Sequence, residues 1–215
     1  MDILNGYDII IFDCDGVLLD SNKQKSDAFK ITLKDYDNNY IEDFLDYHKN
    51  NGGISRYEKF KYFLSNILEN KFEETTYKVM LKNFSKNCIE LYTKVDMTEG
   101  SLKLLSSLSE KKCFIASGSD QEELIEVFKK RDLDKYFNGI FGSPTPKNEI
   151  IGNILENNIG KALMIGDSIQ DYKAAFINNI DFLFVKKYSE QNEMLIKECE
   201  EKSIASVNTL LELVG

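Results

Sequence analysis

Tyr7-Asp8-Ile9-Ile10-Ile11-Phe12 leads directly into Asp13-Cys14-Asp15-Gly16-Val17, so a short apolar run ends in two aspartates and a glycine. The run is apolar at most positions, which is typical of a strand buried on both faces in the centre of a parallel sheet. Asp13 and Asp15 are two residues apart, and in an extended chain such a pair lies on the same side. Gly16 lets the backbone turn sharply after them. Because ligands of α/β proteins bind beyond the carboxyl ends of the strands, this pair marks a candidate site.

Strand and helix patterns alternate in the second half of the chain. Apolar runs predict strands at 112–116, 139–141, 162–165 and 182–185. Amphipathic patterns of about ten residues predict helices at 121–130, 148–157 and 169–178. This alternation is typical of right-handed βαβ units on a parallel sheet. The closing segment, 206–214, has the pattern of a short terminal helix.

The interval from residue 19 to residue 95 has a different pattern, with helical spacing and no buried strand. Apolar side chains recur at steps of three and four in 60–68 and again in 77–91, which predicts two amphipathic helices. Gly52-Gly53 breaks the helical pattern, and Ser55 is placed to cap the helix that follows. The sequence therefore predicts a helical insertion between the first and second strands.

The length of 215 residues fits one domain with an insertion. We predict an α/β core with a Rossmann-like parallel sheet, residues 1–19 and 97–215, and an inserted helical cap, residues 20–96. The formal charge of −9 argues against nucleic acid or an anionic membrane as a partner. The four cysteines lie far apart without a CxxC pair, which predicts small buried side chains and not a zinc site or disulfides. Without a basic leader or a membrane-length apolar segment, we expect a soluble, cytoplasmic protein.

Polar residues follow three of the later predicted strands. Ser117-Gly118 comes just before a predicted helix, where backbone N–H groups bind phosphate. Lys147 is a cation in an otherwise polar loop, and Asp167 and Asp171 follow the strand at 162–165 with helical i, i+4 spacing. Since the carboxyl ends of parallel strands meet at one edge of a sheet, we expect these residues near the first pair of aspartates.

In order and placement, these segments resemble the four motifs of the haloacid dehalogenase superfamily of phosphotransferases, across essentially the whole chain. Asp13-Cys14-Asp15-Gly16-Val17 matches the first motif, Ser117 the second, Lys147 the third, and Gly166-Asp167-Ser168-Ile169-Gln170-Asp171 the fourth. The insertion resembles the C1-type cap of subfamily I, which holds small phosphatases and sugar-phosphate mutases. The acid at Asp15 separates this chain from the dehalogenase and phosphonatase branches and favours cleavage of a phosphate ester.

The resemblance implies a role for each aspartate. Asp13 is the expected nucleophile, which attacks phosphorus and forms an aspartyl-phosphate. Asp15 is expected to give a proton to the leaving alcohol and then to take one from the hydrolytic water. Mg²⁺ is the implied cofactor, held by the side chains of Asp13 and Asp167 and the backbone carbonyl of Asp15. Asp171 is expected either to support a metal-bound water or to orient Lys147.

The resemblance also implies a phosphate-binding set. Lys147, the Ser117 hydroxyl and the Gly118 N–H are expected to stabilise charge on the transferring phosphoryl group. The loop around Lys147 departs from the commoner Lys-Pro-x-Pro pattern, so Lys135 and Lys161 are alternatives for the lysine.

Substrate choice is expected to lie in the cap, which closes over the core site and excludes water. The segment 47–60 holds the only histidine, His48, and one of two arginines, Arg56. We expect Arg56, together with His48 or Lys59, to contact the substrate. The segment 51–56 resembles phosphatases of bacterial surface-sugar and capsule pathways.

The sequence thus predicts a Mg²⁺-dependent phosphatase of a small phosphorylated metabolite, namely a sugar, polyol or short alcohol phosphate, and the segment 51–56 suggests a surface-polysaccharide pathway. The alternative is a sugar-phosphate mutase of the same superfamily, which shares nearly every catalytic residue. A phospho-accepting receiver domain also combines an acidic pocket with a hydroxyl and a lysine, but it is much shorter and has no cap. The sequence carries no signal for the oligomeric state.

Overall fold

A computed structural model, which describes residues 3–68, 73–190 and 192–214, contains a six-stranded parallel sheet built around the first predicted strand. The strands are β1 (Ile9–Phe12), β2 (Lys112–Asp120), β3 (Gly139–Ser143), β4 (Ala162–Gly166), β5 (Asp181–Val185) and β6 (Ser206–Val207). Their order across the sheet is β3-β2-β1-β4-β5-β6, and every pair is parallel. The predicted α/β fold with a parallel sheet is confirmed.

Strand β1 is buried from both sides, as its apolar sequence predicts. Ile10 and Phe12 pack into the hydrophobic cluster on one face of the sheet, and Ile9 and Ile11 pack into the cluster on the other face. All four side chains are fully buried. Because β2 and β4 flank β1, the residues that follow these three strands lie side by side at one edge.

Helices cover the sheet and form the insertion. The insertion contains α1 (Asn22–Thr32), α2 (Asn38–Asn50), α3 (Arg56–Tyr62), which continues as a π-helical turn (Phe63–Ile67), and α4 (Glu74–Tyr92). The later helices are α5 (Ser101–Ser107), α6 (Gln121–Lys130), α7 (Lys147–Glu156), α8 (Ile169–Ile177) and α9 (Asn192–Lys202). Short 3₁₀ segments occupy Ile3–Gly6, Asp134–Tyr136 and Leu210–Leu213. None of the helices in the described part of the chain is long and apolar enough to cross a membrane.

The helical insertion has a hydrophobic cluster of its own. Phe29, Phe44, Phe60 and Phe84 are fully buried within it and meet ring against ring. The break after α2 falls at the double glycine, and the Ser55 hydroxyl accepts a hydrogen bond from a backbone N–H of α3, as the capping pattern predicts. The division at residues 19/20 and 96/97 stays a prediction, and its outer limits, residues 1 and 215, and residues 69–72 lie outside the described residues.

Two features of the core differ from the sequence-based prediction. The segment 206–214 is not one helix: the short strand β6 adds to the sheet edge first, and a 3₁₀ turn follows. Strand β2 runs four residues beyond its apolar stretch, through a register shift against β3. That polar extension is invisible to an apolar pattern but carries part of the site. The four cysteines are free and buried, as predicted.

Candidate active site

Three aspartates meet at the carboxyl edge of the sheet. Asp13 directly follows β1, Asp167 directly follows β4, and Asp171 lies in the first turn of α8. All three are buried, and one carboxylate oxygen of each lies within 4.8 Å of the others. Gly16 has a φ of 75° and passes so close to Asp167 that a side-chain carbon there would collide with the carboxylate. The fold therefore brings together three carboxylates in the way the sequence predicts.

Burial and mutual repulsion disfavour negative charge on these aspartates. Desolvation and Asp171 raise the pKa of Asp13 to about 6, and desolvation and Asp13 raise the pKa of Asp167 well above its usual range. Oδ1 of Asp13 lies 3.0 Å from Nζ of Lys147, yet it receives no well-aligned hydrogen bond from any described residue. A divalent cation would offset this repulsion, and oxygen ligands of this kind suit Mg²⁺. The residues present fit the implied cofactor.

Lys147 is the cation of this cluster. It is the first residue of α7, pairs with Asp13 and donates a hydrogen bond to Asp171. Burial lowers the pKa of Lys147, but Asp13 and Asp171 outweigh burial, and the net direction is upward. The alternatives, Lys135 and Lys161, each pair with a surface aspartate instead. Of the three lysines considered, Lys147 is therefore the one that reaches Asp13.

Asp171 holds Lys147 and fixes the start of α8. Its Oδ2 accepts from the backbone N–H of Asp167 (3.2 Å) and from the backbone N–H (3.0 Å) and hydroxyl (2.7 Å) of Ser168. Its Oδ1 accepts from Lys147. Because both oxygens have protein donors, the contacts favour the orienting role among the two that the sequence left open.

Asp15 is surrounded by donors that the sequence analysis missed. Lys25 (2.7 Å) and Ser119 (2.9 Å) donate to Oδ2, and Ser21 (2.6 Å) and Tyr92 donate to Oδ1. Burial alone raises the pKa of Asp15, but Lys25 and the hydroxyl groups lower it far below the usual carboxyl range. Two helices of the insertion and the extension of β2 supply three of these four donors. The donors come from separate elements, so no sequence spacing could have predicted that they meet.

A further missed residue is Asn22, at the start of α1. Its side-chain amide donates to Oδ2 of Asp167 (3.1 Å) and to the backbone carbonyl of Tyr188 (2.9 Å). Asn22 therefore orients one of the carboxylates in the acidic cluster. A single asparagine in a polar segment carries no signal of such a role in the sequence.

Two of the three predicted phosphate-binding residues, Ser117 and Gly118, lie in the extension of β2, next to the insertion. Ser117 is buried, and its hydroxyl oxygen accepts from the backbone N–H of Ser119 (3.1 Å), which leaves its own O–H to donate. A side-chain carbon at Gly118 would lie 2.5 Å from the carbonyl oxygen of Gly53. The loop of the insertion that contains Gly53 is thus closed down onto the site.

A small cavity lies between this loop and the aspartates, with about 20 Å³ of free volume. Its walls include Asp13, Asp15 and Asp167 from the core side and His48, Gly52, Gly53 and Lys59 from the insertion. A wider cleft of about 560 Å³ reaches Ser117 and Lys147 from the other side of the Gly53–Gly118 contact.

His48 and Lys59 face the cavity as a contacting pair. Nζ of Lys59 lies 2.6 Å from Nδ1 of His48 and donates to its backbone carbonyl at 3.2 Å. Burial, and then Lys59, lower the pKa of His48 to about 2, and burial, and then Lys25, lower the pKa of Lys59 well below its usual range. Both residues line the cavity, and their contact with substrate stays a prediction.

Arg56 forms a buried ion pair with the core. Its two terminal nitrogens donate to the two carboxylate oxygens of Glu123 in α6, each at 2.6 Å, and its guanidinium lies 4.5 Å from the ring centre of Phe84. It is not among the residues that line the small cavity. In this closed arrangement the arginine joins the insertion to the core, and the contact between Arg56 and substrate stays a prediction.

Comparison with known proteins places this geometry in context. A sequence model of haloacid dehalogenase-like hydrolases matches residues 10–185. The phosphoglycolate phosphatase of Aquifex aeolicus is 28% identical over 180 residues, which cover 77% of this chain and 78% of that protein. A Clostridium acetobutylicum protein described as a predicted phosphatase superposes with a TM-score of 0.75 at 23% identity and 96% coverage of both chains. CbbY of Rhodobacter sphaeroides, in complex with phosphate, gives 0.72 at 15% identity and the same coverage.

Proposed function

The chain belongs to the haloacid dehalogenase-like hydrolase family, and from that premise we propose that it is a Mg²⁺-dependent phosphatase of a small phosphorylated metabolite. The observation that carries the proposal is the buried cluster of Asp13, Asp167 and Asp171, with Lys147 placed 3.0 Å from Asp13. An acidic, oxygen-only cluster beside a lysine is suited to hold a metal ion and a phosphoryl group together. The named substrate of the Aquifex aeolicus relative, phosphoglycolate, belongs in the same substrate class.

In the proposed reaction, an oxygen of Asp13 attacks phosphorus, the bond to the leaving oxygen breaks, and an aspartyl-phosphate forms. Mg²⁺, held by Asp13 and Asp167 and by the backbone carbonyl of Asp15, would screen the repulsion between the nucleophile and the phosphate dianion. Lys147 and the O–H of Ser117 stabilise negative charge on the transferring group. Water then attacks phosphorus, which releases phosphate and restores the carboxylate.

Asp15 carries the proton steps. The ionised form held by Lys25 and the hydroxyl groups is the form that takes a proton from the hydrolytic water. Donation to the leaving alcohol needs the protonated form, which has room for its proton only when one of the donors moves aside. Motion of the insertion, which supplies Lys25, is therefore part of the proposed cycle.

The closed cavity limits the substrate. With only about 20 Å³ free beneath the loop, the closed site has room for about one water molecule, so the loop must open to admit substrate, and a small metabolite needs less opening than a phosphorylated protein side chain. Sugar, polyol and short alcohol phosphates are the proposed substrate classes. The resemblance of the segment 51–56 to phosphatases of surface-sugar pathways supports a role in a surface-polysaccharide pathway.

The test is a phosphate-release screen over phosphorylated sugars, polyols, glycerol, amino alcohols and phosphoglycolate, with Mg²⁺ and with a chelator. We expect Mg²⁺-dependent release from at least one ester. No release from any ester, including p-nitrophenyl phosphate, would contradict the proposal. Conversion of a sugar phosphate to its isomer without phosphate release would indicate the mutase instead.

A further inference from the structure

Lys59 stands out among the buried lysines because it has no carboxylate partner. Lys25 and Lys147 each lie within 3.0 Å of a carboxylate oxygen. Among the described residues, no carboxylate lies within 4.0 Å of Nζ of Lys59, and its hydrogen bonds both go to His48. The residue is only 1% exposed. Burial without a counterion disfavours the ammonium form, which agrees with the lowered pKa of Lys59, and an anionic ligand would stabilise that form.

His48 provides a second donor that also lacks a partner. When Lys59 is an ammonium, Nδ1 of His48 accepts from it, and the neutral ring carries its proton at Nε2. Nε2 is buried and has no hydrogen-bond partner among the described residues, and the side chain is 3% exposed. Two donors that need an acceptor therefore line the cavity opposite Asp13 and Asp15.

We propose that Lys59 and His48 bind a carboxylate on the alcohol portion of the substrate, which makes the substrate a small phosphorylated hydroxy acid. This inference rests on the proposed phosphatase function and names its substrate class. A carboxylate offers two acceptor oxygens and one negative charge, and so partners both donors and the cation.

Other leaving groups fit these two residues less well. A neutral hydroxyl leaves the charge of Lys59 uncompensated, and an ammonium is repelled by it. A second phosphate is bulkier than a carboxylate and needs the loop to open further, since the closed cavity leaves only about 20 Å³. Glu190 also lines the cavity but lies beyond ion-pair distance of Lys59, so it does not replace the ligand.

The first measurement compares wild-type kcat/KM in Mg²⁺ for 2-phosphoglycolate and 3-phosphoglycerate with that for glycerol 3-phosphate, ethanolamine phosphate and p-nitrophenyl phosphate. We expect kcat/KM for the two acids to exceed that for glycerol 3-phosphate by at least about tenfold, because a charge-assisted hydrogen bond to the carboxylate contributes about that much to binding. Equal or lower values for the acids, with phosphate still released from other esters, would overturn this inference alone. No release from any ester would overturn the proposed function itself.

The second measurement uses variants of the pair. Lys59→Met is expected to lower the ratio of kcat/KM for the acid to that for p-nitrophenyl phosphate by at least about tenfold, and His48→Gln to lower it less. Lys78→Met is the matched control, since Lys78 is exposed on α4 of the insertion and pairs with Glu74; it leaves the ratio unchanged. An unchanged ratio in Lys59→Met overturns the assignment.

Thermal unfolding separates loss of a contact from loss of the fold. Lys59→Met replaces a buried amine that has no carboxylate partner with an apolar side chain of similar length, so we expect its melting temperature to equal or exceed that of the wild type. A lower ratio in a protein of undiminished stability supports substrate binding. If Lys59→Met does not fold, the role is structural, and an unchanged ratio in His48→Gln then rejects the carboxylate site.

Discussion

Arg56 of α3 and Glu123 of α6 are joined by two parallel hydrogen bonds of 2.6 Å, and both side chains are buried. A third bond of 2.6 Å, from Tyr57 to Asp120, lies beside them. Arg56 follows the Gly52-Gly53 loop by only three residues. These contacts between the insertion and the core therefore hold the loop against the site.

Glu123→Gln is expected to cost about 3–5 kcal/mol of unfolding free energy, because it leaves the Arg56 guanidinium buried without its counterion. Arg56→Met is expected to cost less than Glu123→Gln, and the double variant to recover part of the loss. Chemical denaturation measures all three. The control is Glu126→Gln on the same helix, whose exposed pair with Lys130 contributes at most about 1 kcal/mol. Equal costs for Glu123→Gln and Glu126→Gln would show that the buried pair does not hold the insertion.

Gly118→Ala is expected to push the insertion loop away from the core, because the added carbon would lie 2.5 Å from the carbonyl oxygen of Gly53. We expect kcat/KM to fall by roughly tenfold or more, since a displaced loop leaves the site open to water. Steady-state kinetics checks this. Gly152→Ala in α7 is the control: its added carbon meets only the Asn178 side chain, at 3.3 Å, and alanine favours a helix. Full activity in Gly118→Ala would contradict closure as described.

The fold and the acidic cluster could be predicted from the sequence because both depend on local patterns. The apolar run before Asp13 identifies a central strand, and residues at the ends of neighbouring parallel strands necessarily meet. The donors around Asp15 could not be predicted in this way. Lys25 and Tyr92 come from helices whose packing depends on the whole insertion, and no spacing rule relates them to Asp15.

Arg56 shows that composition alone does not predict the partner of a charged residue. A scarce arginine beside a double glycine in an insertion is a natural candidate for substrate contact. Its partner, Glu123, lies 67 residues away on α6, and an acid in the first turn of a helix gives no sign of such a pairing. Which face of α3 meets the core depends on tertiary packing, so charge and scarcity alone could not predict the pair with Glu123.

Mg²⁺ is expected to raise the melting temperature of the protein, since a ligand that binds only the folded state stabilises it by about 2.7 kcal/mol at 100 times Kd. Asp167→Asn is expected to abolish most of that shift, because Asp167 is one of the three clustered carboxylates. Thermal scans with Mg²⁺ and with a chelator measure the effect. Asp43→Asn, an exposed acid on α2, serves as the control and keeps the full shift. An Asp167→Asn variant with an undiminished shift would place the cation elsewhere.

Asp13→Asn is expected to abolish phosphate release while stabilising the metal-free fold. The pKa of Asp13 is raised from 3.8 to about 6, so its ionised form opposes folding. The loss of unfolding free energy caused by the ionised carboxylate is absent below pH 3.8 and grows through pH 4–6. Above pH 6 it reaches its full value of up to about 3 kcal/mol. Unfolding measured in chelator at pH 4 and pH 7 checks this: the variant gains over wild type at pH 7 and loses that gain at pH 4. Turnover retained by the variant would refute covalent catalysis by Asp13.

Asp15→Asn is expected to lower the reaction rate by different factors for different substrates, according to how strongly the leaving group needs a proton. An alkyl phosphate needs a proton on its leaving oxygen, and loss of a general acid costs about 10²–10⁴ in rate. p-Nitrophenyl phosphate releases a stable phenolate, so its first chemical step suffers much less. Single-turnover rates for both esters measure the difference, because they report that first step without the hydrolysis of the aspartyl-phosphate.

The same substitution leaves Lys25 buried without its carboxylate, which by itself destabilises the protein. The control is therefore Asp15→Asn combined with Lys25→Met, which removes both charges together. We expect the double variant to regain stability but to keep the dependence on the leaving group, because the proton donor is still missing. An equal loss for both esters in the double variant would show that Asp15 orders the site and does not transfer the proton.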